Sequence, residues 1–286
     1  MEDRYVISSV QNSRIKRLVA LQQKSAVRRE QGVIVVEGRR ELEHCVAAGH
    51  EVLAVYHCPA LTPDLPSSLT PHPAHLTPDP AHPTPDTSPL PPQCYEVTRE
   101  VYDKVAYRGS TEGLSAEVRP RQLTLEGLSL PEHPLLLVVE AVEKPGNLGA
   151  MLRSADAAPA DALLVCDPLT DLYNPNVIRS SIGAVFTVPT VACSSADCIQ
   201  FLKAHNIQIL TAQLQDSHPY YATDMRHGTA IVMGTESTGL TERWRAAADA
   251  HIRIPMHGRL DSLNVSVSAA ILLFEAVRQR QSQNFG

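Results

Sequence analysis

Three short segments of this 286-residue chain set small residues beside polar ones where apolar runs end: EKPGNLGAMLRSAD (143–156), MGTESTGL (233–240) and IPMHGRLDSLNVSVSAAILLFEAV (254–277). Packing of helices and strands does not require such a mixture, whereas loops at strand ends are where chains place binding and catalysis. In the first segment Pro145 and Gly146 turn the chain, Asn147 can cap the coming helix, and Gly149 leaves the helix start bare for close approach of a phosphate. Arg153 follows one turn further in, and its planar guanidinium suits an anion held in a bidentate grip. Pairing with Asp156 at i to i+3 is the purely structural use of the same side chain. In the second segment a strand, TAIVMG, enters a turn where the Gly234 backbone meets a ligand without side-chain obstruction, with Glu236 at the rim or simply an exposed turn carboxylate. In the third, Ser262 and Asn264 offer hydrogen-bonding groups at the entry to an apolar helix, where either can serve as N-cap.

The elements that must position these residues are legible from about residue 133. PLLLVVE, ALLVC, IQILTAQ, TAIVMG and HIRIPM are apolar throughout, separated by helical patterns such as NLGAMLRSADA, NVIRSSIG and SADCIQFLKAHN, with AVFTVPTV a further apolar run and a long final helix from about 264. Wholly apolar strands alternating with helices imply an α/β fold with a mainly parallel sheet covered on both faces, whose ligands sit beyond the carboxyl ends of the strands. All three segments occupy such ends. The chain divides near residue 120 into regions 1–120 and 121–286. In the first, SRIKRLVALQQKSAVRREQG has helical spacing, VIVVEG reads as a strand, RRELEHCVAAG as a helix ended by Gly49, and EVLAVYHC as a second strand.

In this order the three segments resemble the motifs of the SpoU (TrmH) family within the SPOUT methyltransferases. The resemblance implies methylation of the 2'-hydroxyl of RNA ribose using S-adenosylmethionine. It implies a catalytic set of Arg153, Asn147, Glu236, Ser262 and Asn264, and cofactor contacts from Gly234, Ile254, Met256 and Leu263. It also implies a C-terminal deep trefoil knot, in which the loop holding IPM and SLN threads beneath another and which neither composition nor periodicity could reveal, and a homodimer packed through the knot helices. Because a guanidinium hardly ever gives up its proton, Arg153 is read as orienting phosphate and stabilising developing alkoxide charge, with the general base unassigned. DLYNPNVIRSSIGAVFTVPT resembles a further family stretch, making Asn174, Arg179, Ser180 or Ser181, and Gly183 candidates for shaping the pocket or touching RNA. The family usually has Gly after the first motif's helix; here stands Ala158-Pro159, which puts the geometry of that turn in question. The helical start, VIVVEGRRE and YRGSTEGLSAEV (107–118) look like the small L30e-like substrate-binding domain that precedes many SpoU catalytic domains. That domain favours large-subunit ribosomal RNA over transfer RNA as substrate.

Composition narrows the alternatives. The net charge of −6 argues against a nucleic-acid partner until its distribution is seen: residues 1–40 carry nine basic against four acidic groups, so the remainder carries −11. A basic binding surface and a merely solvated helix face both fit that asymmetry. Six cysteines without a CxxC pair read as reduced structural thiols, and no metal is expected. Residues 59–92 hold twelve prolines, which disfavour ladder or helix, so an exposed insert is expected; its His72, His75 and His82 lack the partners of a metal site. No apolar run reaches the ~18 residues of a membrane helix, and the start lacks a signal peptide's apolar core, so a cytoplasmic protein is expected. A doubly wound oxidoreductase would need GxGxxG where the chain has PGNLGA. A transfer-RNA methyltransferase and an RNA-binding or ribosome-binding protein without catalysis stand as alternatives, the latter opposed by the complete Asn147, Arg153, Glu236 and Asn264 set.

Overall fold

The structure, a computed structural model, describes residues 5–65, 69, 92–109, 112–235, 237–259 and 262–281. The chain forms two compact units, Met1–Arg121 and Gln122–Gly286.

The first unit runs β1 (Tyr5–Ile7), α1 (Ser13–Gln23), α2 (Ser25–Gln31), β2 (Ile34–Glu37), α3 (Arg39–Ala47), β3 (Glu51–His57), β4 (Gln93–Val97), α4 (Arg99–Val105) and β5 (Leu114–Arg119). Its five-stranded sheet has the order β1-β4-β3-β5-β2, parallel from β1 to β3 and antiparallel at β5. The helical spacing of residues 13–32 yields two helices, not one, because Lys24 adopts an extended conformation. The break is satisfied from within: the buried Arg28 side chain donates to the Leu21 and Gln22 carbonyls, at 2.6 and 3.0 Å. Other basic groups of residues 1–40 are likewise engaged. Arg17 pairs at 2.5 Å with Glu117, a buried carboxylate that also accepts from Tyr56, and Arg14 lies over the Tyr95 ring. Lys16, Lys24 and Arg29 are exposed. Most of the Pro-rich stretch, with His72, His75 and His82, lies outside the described residues; Leu69 within it is buried, so the expected insert does contribute one apolar side chain to a core.

The second unit comprises β6 (Leu135–Glu140), α5 (Pro145–Ala157), β7 (Ala162–Cys166), α6 (Pro175–Ser180), α7 (Ala184–Thr187), β8 (Thr190–Cys193), α8 (Ser195–Ala204), β9 (Gln208–Ala212), β10 (His218–Pro219), β11 (Thr229–Met233), α9 (Glu242–Ala247), β12 (Ala250–Arg253) and α10 (Val265–Gln281). Its seven strands, in the order β10-β12-β9-β11-β6-β7-β8, are parallel at every pairing. β6, β7 and β11 are buried along their whole length, which is why they read as unbroken apolar runs. Leu136, Val138, Leu164, Ile209 and Val232 form one core with Cys198, Leu202 and Trp244 of α8 and α9. α5 and α10 pack on each other, with α10 against β6 and β11, and cover the other face. AVFTVPTV splits into a short helix and a strand: Val188, ahead of Pro189, is held extended, as the residue before a proline prefers. Ala158 closes α5 in a right-handed conformation (φ −93°, ψ 22°), so the Ala158-Pro159 turn needs no glycine. No described helix is long and apolar enough to cross a membrane.

Candidate active site

The end of β6 and the start of α5 build the first part of the site. Pro145 is the first helical residue, where its missing N–H costs nothing, and Lys144 is the cap position. Asn147 is therefore not the N-cap that its sequence position allowed; it stands inside the first turn of α5. Its Oδ1 accepts from Asn264 Nδ2 at 3.2 Å, across 117 residues of chain. Asn264 does cap: its Oδ1 accepts from the Ser266 backbone N–H at 3.0 Å and from the Ser266 hydroxyl at 2.6 Å, at the mouth of α10. One side chain thus starts a helix and ties the third segment to the first.

Gly149 corrects the sequence reading. A Cβ there would lie 2.0 Å from Ser180 Oγ and 2.8 Å from the Ser181 nitrogen, so its bare Cα admits α6, not a ligand. Ser180, a candidate pocket residue, instead donates to the Asn176 carbonyl at 2.5 Å, while Asn174 caps α6 and Gly183 begins α7 at φ 81°. Arg179 is exposed. Arg153 is exposed as well, and among the described residues it makes no ion pair or hydrogen bond. Its structural alternative fails, because Asp156 accepts instead from Thr187 Oγ1 at 2.8 Å.

The second and third segments face each other across a cleft of about 640 Å³, lined among others by Gly234, Ile254, Met256, Ser262, Leu263 and Asn264. A smaller pocket of about 90 Å³, which includes Lys144, Asn147 and Met151, shares Gly234, Thr235, Ser237 and Val265 with it. Arg153 lines neither, and Glu236 lies outside the described residues. Gly234 is required by the loop itself: an added Cβ would stand 2.3 Å from the Gly239 carbonyl carbon, where Thr235 and Gly239 exchange two backbone hydrogen bonds of 3.2 Å. Two side chains that the sequence reading missed enter the cleft wall. Both line it, and Gln213 Oε1 and Arg245 Nε are buried without a hydrogen-bond partner among the described residues. Nothing in their sequence context marks them.

A buried carboxylate sets the second loop. Glu140, 4% exposed at the end of β6, accepts from the Thr241 backbone N–H at 2.9 Å and its hydroxyl at 2.7 Å. Ser195 Oγ lies 3.4 Å from the same carboxylate, donates to Asp167 at 2.6 Å, and receives the Trp244 indole N–H at 3.1 Å. The network fixes Thr241, where the 234–240 loop ends, to the strand from which the first segment departs. An acidic residue closing the run LLLVVE was its signal in the sequence.

Residues 134–274 match the SpoU rRNA methylase family, and residues 12–116 match an MRM3-like substrate binding domain. The chain is 38% identical over 191 residues to the 23S rRNA (guanosine-2'-O-)-methyltransferase RlmB of Vibrio vulnificus, covering 65% of this chain and 77% of that protein. The chain belongs to the SpoU rRNA methylase family. A crystal structure of an RNA 2'-O ribose methyltransferase matches this SpoU member with a TM-score of 0.77 at 38% identity, over 96% of this chain and 99% of that one. The SpoU methyltransferase AviRb from Streptomyces viridochromogenes, in complex with the cofactor AdoMet, matches with a TM-score of 0.79 at 25% identity, over 95% and 100% of the two chains.

Proposed function

We propose that this SpoU family member transfers a methyl group from S-adenosylmethionine to a ribose 2'-hydroxyl of large-subunit ribosomal RNA. The observation that carries the reading is the cleft beyond the strand ends, where the 234–240 and 254–264 segments meet beside the Asn147–Asn264 hydrogen bond. The residues present fit the cofactor: the cleft has the volume of a small-molecule site, and its lining includes Gln213 and Arg245, whose Oε1 and Nε have no hydrogen-bond partner among the described residues. Gly234, Ile254, Met256 and Leu263 would hold it, largely through backbone atoms. When bound it supplies an electrophilic methyl group on a sulfonium.

The chain's own task is alignment and charge. Asn264, fixed by the α10 cap on one side and Asn147 on the other, positions the floor where the ribose must lie, with Ser262 beside it. Arg153, its guanidinium exposed and without a partner among the described residues, orients the RNA phosphate and stabilises the oxygen as it loses its proton. Glu236 belongs to the catalytic set by its order in the second segment alone. The deep trefoil knot remains part of the reading through membership of the SpoU family alone.

The substrate choice is supported by the MRM3-like substrate binding domain at residues 12–116 and by relatives named for 23S rRNA. The cytoplasm is the compartment that goes with this reading. A homodimer through α10 completes the reading, supported by Val267 and Phe274, each 47% exposed and seven residues apart on that helix. Mapping ribose methylation in ribosomal RNA from cells with and without the protein tests the function, one lost mark being expected. In vitro, Arg153→Ala should abolish transfer, by at least ~10²-fold, while cofactor binding by calorimetry persists; retained transfer would remove Arg153 from the mechanism.

A further inference from the structure

Three of the six cysteines converge in the second unit, at a place the methyl-transfer reading does not use. Cys166 ends β7, Cys193 ends β8 directly opposite it in the strand register, and Cys198 lies in the first turns of α8. The three sulfurs all lie within 4.8 Å of one another, with Cys166 and Cys193 at 3.9 Å. Cys166 and Cys198 are fully buried and Cys193 is half-buried, so the group has one open side; all three are free thiols. Their spacing in sequence, 27 and then five residues, hid them from a search for close pairs.

We propose that Cys166, Cys193 and Cys198 bind a single soft, thiophilic d10 cation, copper(I) or zinc(II), through three sulfur ligands. The distances suit it. Metal–sulfur bonds of ~2.3 Å place sulfurs about 3.8 Å apart around a tetrahedral ion and about 4.0 Å apart around a planar three-coordinate one. The 3.9 Å between Cys166 and Cys193 falls between these values, so no strand needs to move. Asp167 and Asp197, next in sequence to two of the ligands, add negative charge that a cation offsets and bare thiolates would aggravate. Neither carboxylate is idle: Asp167 accepts from Ser195 and Asp197 from Ser194, so a fourth ligand for zinc is water at the open Cys193 side. The ion would clamp two strand ends to α8, one residue from Asp167 and three from Ser195, and so stiffen the network that anchors Thr241.

The test uses the full chain, reduced and stripped of metal by chelation. Copper(I) delivered from a chromogenic chelator, and zinc(II) in a separate arm, are titrated and the products studied by X-ray absorption. One ion per chain with three sulfur neighbours is expected in at least one arm, and saturation should raise the Tm by about 5–10 °C. Cys193→Ser, at the half-exposed position, should weaken binding at least about tenfold, whereas Cys94→Ser, a half-buried thiol in the first unit, should not change it. Failure of the native chain to retain either ion, or equal retention by Cys193→Ser, would overturn the proposal. Zinc with three sulfurs and one oxygen, or copper(I) with three sulfurs alone, tells the two sources apart.

Discussion

Asn264 joins two jobs that are usually separate. As the cap of α10 it satisfies the Ser266 N–H, and as the donor to Asn147 it fixes the third segment against the first. The two can be parted by substitution. Asn264→Ala removes both and should lower stability by about 0.5–2 kcal/mol, the ordinary value of a cap. Asn264→Ser keeps a capping oxygen but has no amide to reach Asn147, so it should regain most of that stability in thermal denaturation yet remain poor in methyl transfer. Equal recovery of both would mean that the tether to Asn147 has no catalytic use. Among single residues, the sequence singled out side chains that the structure brings together better than it foretold their contacts. Asn147, Asn264 and the cleft residues were legible because polar and small residues stood where packing had no need of them. Gly149 was misread because a glycine's reason lies in whatever approaches its Cα, and Ser180 is 31 residues away. Gln213 and Arg245 stayed hidden, since an unpartnered buried atom is a property of three-dimensional surroundings.

At the level of elements, wholly buried strands announced themselves, since parallel strands covered on both faces can hold little but apolar side chains. The division of residues 13–32 into two helices did not, because its cause is the distant satisfaction of freed carbonyls by Arg28. The turn after α3 carries a pH dependence that follows from one hydrogen bond. His50 Nδ1 accepts from the Arg121 backbone N–H at 2.8 Å, which only the unprotonated nitrogen can do. Burial, and then the charge of Arg121, lower the His50 pKa below its ordinary value of 6.5. The folded chain therefore binds this proton less readily than the unfolded chain. The stability from the neutral ring is fully present above about pH 6.5 and is lost as pH falls through the lowered folded value. Urea midpoints measured between about pH 7 and pH 5 should decline for the native chain and decline less for His50→Asn, which keeps an acceptor but does not titrate. Parallel decline of both would assign the pH dependence to other groups.

For the whole molecule, topology is what the residues could least foretell. A threaded loop uses the same apolar strands and polar turns as an unthreaded one, and the usual rule that connections do not thread argues against it. Only resemblance to the family raised the expectation. The proposed assembly has a physical argument beside the resemblance, because a second copy of the chain would cover an exposed apolar helix face. Leu272, Leu273 and Ala276 of α10 are buried within the unit, while Val267 and Phe274 remain nearly half exposed on the same helix. A lone Val or Phe in water needs no explanation; two at i and i+7, on the helix that Asn264 caps, make a face suited to a second copy of the chain. Phe274→Glu would place a charge in that contact, where desolvation without a partner is costly. Sedimentation at about 10 µM, a concentration at which an interface of micromolar Kd is largely formed, should show a dimer for the native chain and a monomer for the variant, with unchanged circular dichroism. Transfer to RNA should fall with the dimer, since α10 positions Asn264. A native chain that sediments as a monomer while methylating RNA at full rate would separate the site from the assembly altogether.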